Sequence, residues 1–151
     1  MEHGPGLYFT DALDGAKSYA VNHYSNKVGI VISVKISSKK QISGDVSKKV
    51  VDLLLDAVPN LDRRLKSINH TRVSYTENLM GSGELAWAFS YVWENLFKNT
   101  EAKEWLKLIL SLGYDSLVIE DYSGDMHCIV YDPKILKVIA VDKLDPKKEL
   151  R

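Results

Sequence analysis

A single cysteine, Cys128, stands among these 151 residues. It has no partner for an internal disulfide, which fits a reducing compartment and leaves packing to hold the fold. Charge of one sign is missing as well: twenty acidic and twenty basic side chains cancel. No global field draws the chain to nucleic acid or to a membrane surface, and neither is expected as a partner. Long apolar runs are absent; the longest, near Val50–Val58, is broken by Asp52 and Asp56. No bilayer-spanning segment is therefore expected. The first residues show no basic region followed by an apolar stretch, so no secretory signal is expected there. Four scattered histidines, His23, His70 and His127 far apart among them, have no metal-ligand spacing, and no metal site is expected.

What is present is an ordinary globular composition, 45% hydrophobic and 26% charged. The length suits one domain, large enough to bury about two-thirds of its unfolded surface. It is expected over 1–144, with a charged, disordered tail over 145–151. One stretch organises the rest: Gly4-Pro5-Gly6, then Leu7-Tyr8-Phe9, then Thr10 to about Tyr24. The first piece is turn chemistry. The second is a short apolar and aromatic strand. The third is a helix capped by Thr10 or Asp11, with Leu13, Ala16, Tyr19, Ala20 and Tyr24 on one face. Tyr8 on the strand and Tyr19 on the helix, eleven positions apart, are placed to face each other across a slot. Two facing phenol rings suit a flat aromatic guest; two core tyrosines in a strand–turn–helix are the plainer reading.

Further along, Ser25-Asn26 reads as a turn. Val28, Ile30, Ile32, Val34 and Ile36 alternate on one face of a strand ending at Ser37. Ser37-Ser38-Lys39-Lys40 reads as a solvated polar loop, and Gly44-Asp45 as a turn. Ser47 to Val58 is a helix with Val50, Val51, Leu54, Leu55 and Val58 inward. A short helix at 61–68 carries Arg63, Arg64 and Lys66, which read as plain surface or as a place for a phosphate or an acidic partner. In Asn69–Ser82, Val73-Ser74-Tyr75 reads as a short strand or a mobile loop. From Glu84 to Asn99 a helix presents Leu85, Ala88, Phe89, Val92, Trp93, Leu96 and Phe97. Thr100 should cap the next helix, with Trp105, Leu108, Ile109 and Leu112 inward and Gly113 as its stop. The pattern then changes to a meander: Leu117–Ile119, a turn at Asp121–Gly124, Cys128–Tyr131, a turn at Asp132-Pro133, and Ile135–Val141.

The segment Gly4–Ala20 resembles the second motif of the ADP-ribosyltransferase superfamily, on the branch shared by diphtheria-type toxins and poly-ADP-ribose polymerases. Tyr8 and Tyr19 match its tyrosine pair. A second block, Gly113-Tyr114-Asp115-Ser116-Leu117-Val118 with His127–Ile135, resembles the closing strands of compact bacterial and phage members, including an anti-CRISPR ADP-ribosyltransferase. The two blocks come in family order and cover roughly a third of the chain. The resemblance implies an α+β fold: a split antiparallel β-sheet with packed helices and a helical insertion at about 45–113.

It also implies NAD as substrate, held by Gly6, Tyr8, Phe9 and Tyr19. The family's first motif, whose His or Arg bonds the adenosine ribose, is missing from its usual place. His3-Gly4 has the right residue types but lies five positions before Tyr8; His3 is a candidate cofactor-binding residue or part of a frayed terminus. An acid is wanted late in the chain, near the ribose that becomes positively charged when nicotinamide leaves. Where the family commonly has Glu, this chain has His127. Asp121 is the first candidate catalytic acid and Asp125 the second; turn chemistry and a solvated hairpin are the plain reading of both. The implied function is mono-ADP-ribosylation of a macromolecule, expected to be a protein, in the cytoplasm of a bacterial or infected host cell, as a toxin, effector or anti-defence inhibitor. The alternatives are a catalytically degenerate relative that binds and inhibits a partner protein, and an unrelated α+β interaction module.

Overall fold

The computed structural model describes residues 3–20, 29–121 and 123–144, without the Tyr19 side chain. The expected helical continuation to Tyr24, the turn at Ser25-Asn26, the strand start at Val28, Tyr122 in the late turn and the tail 145–151 lie outside the described residues. Among those described, six strands and six α-helices follow in the order β1 (Leu7–Thr10), α1 (Leu13–Ala20), β2 (Gly29–Ile36), β3 (Gln41–Ile42), α2 (Lys48–Ala57), α3 (Leu61–Ser67), α4 (Arg72–Gly81), α5 (Leu85–Leu96), α6 (Ala102–Ser111), β4 (Ser116–Glu120), β5 (Met126–Val130) and β6 (Leu136–Leu144). The fold is α+β, with a four-stranded sheet ordered β1-β5-β4-β3 and a two-stranded sheet of β2 and β6. No helix among the described residues is long and apolar enough to cross a membrane.

The helical middle of the chain forms because its apolar residues recur at three and four. In α5 this stripe is wide: Leu85, Ala88, Phe89, Val92, Trp93 and Leu96 are all buried. Trp93, Phe97 and Trp105 pack as an aromatic cluster, with ring centroids 5.0–6.1 Å apart. Ser47 caps α2 by accepting from Val50 N, and Val51, Leu54 and Leu55 point into the same core. Against one face of the larger sheet this core meets Leu117, Ile119 and Ile129, all buried. At the end of α6, Gly113 takes φ +88°, the left-handed stop that a side chain would resist.

Three local expectations change. The stretch around Val73–Tyr75 is helical, in α4. Thr71 and Ser74 form a reciprocal cap at its start, and buried Tyr75 donates its hydroxyl to Tyr91 O at 3.1 Å. Thr100 does not cap α6; it lies in a 3-10 turn, Asn99–Glu101, and Glu101 stands at the cap position. Arg64 is not plain surface. Its guanidinium grips both Glu101 carboxylate oxygens at 2.8 and 2.9 Å and donates to Leu96 O at 2.7 Å, tying α3 to the turn between α5 and α6.

The sheets differ from expectation in two respects. The four-stranded sheet is mixed, because β3 runs parallel to β4. The last strand, read as the third of the late meander, does not join the β4–β5 hairpin; β6 pairs with β2 instead. The hairpin has no free edge for it: β5 lies between β1 and β4, and β4 between β5 and β3. Tyr8 does lie beside the hairpin, opposite Ile129. Ile32, on the apolar face read from the alternation, is 52% exposed. The covered face of β2 is the other one, where Val31 packs with Leu144, Ala16 and Ala20 as a small second core. Alternation shows that a strand has two faces without showing which one is covered.

Two measurements test this packing. Phe89 has no exposed surface, and Phe89→Ala should cost about 3–5 kcal/mol in chemical denaturation; a change within error would contradict the assignment of α5 to the core. The hydrogen bonds from Arg64 hold the Glu101 carboxyl at about 2. A carboxyl lowered in the folded state stabilises the fold above its unfolded pKa and loses that contribution as pH falls toward the folded one. The urea midpoints of wild type and Glu101→Gln should therefore differ at pH 7 and converge as pH falls from about 4.5 toward about 2, where protonation removes the charged partner.

Candidate functional site

Two adjoining hollows of about 680 and 440 Å³ open between α1, β2 and the strands β1 and β5. They share Phe9, Thr10, Ala16, Val31, Ile32 and His127. The combined cleft has the size range of small-molecule sites. It exists because β1 is the edge strand of the larger sheet and the β2–β6 pair covers it only partly. Residues from both faces of β1 line it: Leu7 and Phe9, Tyr8 and Thr10.

Tyr8 stands at the mouth, 41% exposed, and its hydroxyl donates to Gly4 O at 2.5 Å. That bond satisfies the polar end of the ring and leaves the apolar faces to the cleft. Thr10 sits opposite His127, and the Thr10 hydroxyl accepts from Ala12 N at 3.1 Å; this bond shapes the turn before α1, which begins at Leu13, and is not the expected helix cap. By strand alternation Tyr8 and His127 share a face as diagonal neighbours, on the order of 7–8 Å apart. Gly6 is not at the rim. A Cβ there would stand 2.5 Å from Ile129 Cγ2 and 3.2 Å from Val130 O, so glycine lets the chain enter β1 flat against β5. His3 is not frayed. It is 8% exposed, hydrogen-bonded through Nδ1 to Ser90 Oγ at 2.7 Å, and edge-on to Trp87. It docks on α5 and does not line the cleft.

The two candidate acids occupy the turn between β4 and β5. Asp121 Oδ1 accepts from Ser123 Oγ at 2.6 Å, Ser123 N at 2.8 Å and Asp125 N at 3.0 Å. Asp121 Oδ2 lies 2.9 Å from His127 Nε2. The Ser123 hydroxyl first, then the two backbone donors and His127, hold its carboxyl below the usual aspartate range. Asp125 points elsewhere: its Oδ2 would be 3.9 Å from a Cβ at Gly15 on α1. Neither acid lines the cleft; Asp121 reaches it only through His127. Tyr19 is on α1, whose Ala16 and Ala20 line the cleft, and its side chain lies outside the described residues.

Sequence reasoning set His127 down as a departure from an expected glutamate, not as a site residue. Its pairing with Asp121 spans six positions and depends on the hairpin register, in which Ile119 faces His127. Asp11 was also passed over. It lines the smaller hollow, and its Oδ1 accepts from Met126 N at 3.0 Å. Among the described residues, no cluster of His, Cys, Asp and Glu is arranged to hold a metal.

Cys128 follows His127 in β5 and so projects to the other face of the strand, and it too lines the smaller hollow. Burial, with a smaller push from the Asp115 charge, raises its thiol to about 11. Comparisons with protein-family models, with curated proteins and with solved structures give no match.

The Cys128 environment has a direct readout. At pH 8 the native thiol should react with a disulfide reagent on the order of 100-fold more slowly than the urea-unfolded chain, because so little of it is thiolate. Equal rates would show that burial does not raise the Cys128 thiol.

Proposed function

We propose that this cleft binds NAD and that the chain transfers ADP-ribose to a macromolecular acceptor, a protein. One observation carries the reading. The two stretches that resemble the ADP-ribosyltransferase superfamily are far apart in sequence yet pair directly as β1 and β5. Their pairing brings Tyr8 and His127 to one face beside a cleft of about 680 Å³. In this reading nicotinamide lies against the ring of Tyr8, with Phe9 and the aliphatic residues of β2 around it. Fission of the bond between nicotinamide and ribose leaves positive charge on the sugar. With a neutral imidazole, the Asp121–His127 pair carries one negative charge toward that sugar. The finer architecture, a sheet split around a nicotinamide slot, belongs to the same proposal, as does a role in conflict between phage and bacterium.

A second reading keeps the cleft without catalysis: a degenerate relative that inhibits a partner protein. It is favoured by the withdrawal of Asp121 and Asp125 from the cleft lining.

Calorimetric titration with NAD, together with assay of released nicotinamide, tests both. Wild type should bind, and Tyr8→Ala should weaken binding by about 1–3 kcal/mol through lost stacking and burial. Wild type that binds no NAD overturns the proposal. Binding without nicotinamide release, with any acceptor offered, supports the degenerate reading.

A further inference from the structure

The chain places a histidine, backed by a carboxylate, where the resembling family has an acid alone. Asp121 is anchored before it meets His127. Three donors, Ser123 N, Ser123 Oγ and Asp125 N, converge on Oδ1, which leaves Oδ2 aimed at His127 Nε2 at 2.9 Å. An ionised carboxylate accepts only, so the imidazole proton sits on Nε2. The lone pair is then on Nδ1, which has no hydrogen-bond partner among the described residues. A ring held in one tautomer by a buttressed carboxylate is the arrangement of a general base.

We propose that Asp121 and His127 form a base that deprotonates the acceptor, and that the acceptor is therefore an uncharged hydroxyl: a serine- or threonine-type alcohol, or water. The inference rests on the NAD reading of the cleft. Nicotinamide leaves as a neutral molecule, taking the electron pair of its bond to C1′, so the leaving group needs no proton. The acceptor oxygen forms the new bond to C1′ and sheds its proton to Nδ1 of His127. The resulting imidazolium is held by Asp121 and passes the proton to solvent. A carboxylate acceptor has no proton to give, and a guanidinium holds its proton too tightly for imidazole to remove. The ionisable neighbours of His127 are Asp121, Glu120 and Asp125 on its own hairpin, Asp11 beyond β1, Tyr8 on β1, and Cys128 beside it. Cys128 lies across the strand, and Asp11 is engaged by Met126 N.

The test uses Asp121→Asn and His127→Glu in the full chain. Asparagine keeps an acceptor for Ser123 and Asp125 but turns an amide donor toward Nε2, which drives the ring proton to Nδ1 and removes the base. Nicotinamide release should fall by about 100-fold or more, with the NAD dissociation constant changed by no more than about threefold. Nitrogen NMR of the imidazole should show the Nε2–H tautomer in wild type and its loss in Asp121→Asn. In His127→Glu the new carboxylate would stand beside that of Asp121 and share a proton with it, so the acid limb of the pH profile should move from its wild-type position. Methanol should be captured as methyl ADP-ribose and acetate should not. Unchanged turnover in Asp121→Asn, an Nδ1–H tautomer in wild type, an unmoved limb in His127→Glu, or capture of acetate would each overturn the base while leaving NAD binding intact. Failure of wild type to bind NAD would overturn the cleft reading and the base with it.

Discussion

The carboxylate of Asp115 is the constraint on which the joining of the fold's parts depends. It is 8% exposed. Its two oxygens take hydrogen bonds from Ser38 Oγ, Ser116 Oγ, Lys39 N and Lys40 N at 2.5–3.3 Å. Its backbone closes the rest: Asp115 N donates to Lys40 O, and Asp115 O accepts from Tyr131 N. Four chain segments thus meet at one residue: the end of α6, the loop after β2, the start of β4 and the exit of β5. Burial alone would push the Asp115 carboxyl up, but the donors around it outweigh burial and hold it down. The charge is thereby kept, fully hydrogen-bonded, where an unpaired one would be costly. The loop 37–40, which looks like solvated surface in the sequence, is the strap that this carboxylate holds.

That strap explains why one side of the larger sheet is tightly packed and the other is open. On the helical side, α5 and α6 bury Phe89, Trp93 and Trp105 against Leu117 and Ile129. On the far side, β2 and β6 are joined to the body by the strap, by α1 and by the small core around Val31 and Leu144. A two-stranded sheet covers little area, so Ile30, Ile32, Val138 and Val141 keep more than half their surface. The cleft is what remains between a well-packed sheet and an incompletely packed one. Sites that must admit a ligand occur where packing is thin, because a filled core has no room for a guest.

Within the cleft the chemistry follows from strand pairing more than from any single residue type. Histidine alone on a strand is common. Here the turn between β4 and β5 is organised by Asp121 through Oδ1, and Oδ2 of the same carboxylate meets His127, so the carboxylate that shapes the hairpin also orients the imidazole. Structural and chemical roles fall on one side chain because a tight turn brings residues six apart into hydrogen-bonding reach.

The sequence by itself determined the strongly periodic elements. The apolar stripes of α2, α5 and α6 were legible, as were the late β4–β5 hairpin and the strand–helix opening, because burial on one face imposes a period on the residues. The thin stripe of α4 was not, since Val73, Tyr75 and Leu79 fit either period and its cap uses Ser74 in place of an acid. Of the candidate site, Tyr8 and Phe9 were legible as an aromatic strand, and Asp121 as an acid in a turn. What only the tertiary structure decided was which faces are covered and which residues meet. It exposed Ile32, docked His3 on α5, pressed Gly6 against Ile129 and joined Asp121 to His127. The physical reason is that periodicity is set by the local chain. Register, strand order and the choice of covered face are set by contacts between segments that are distant in sequence.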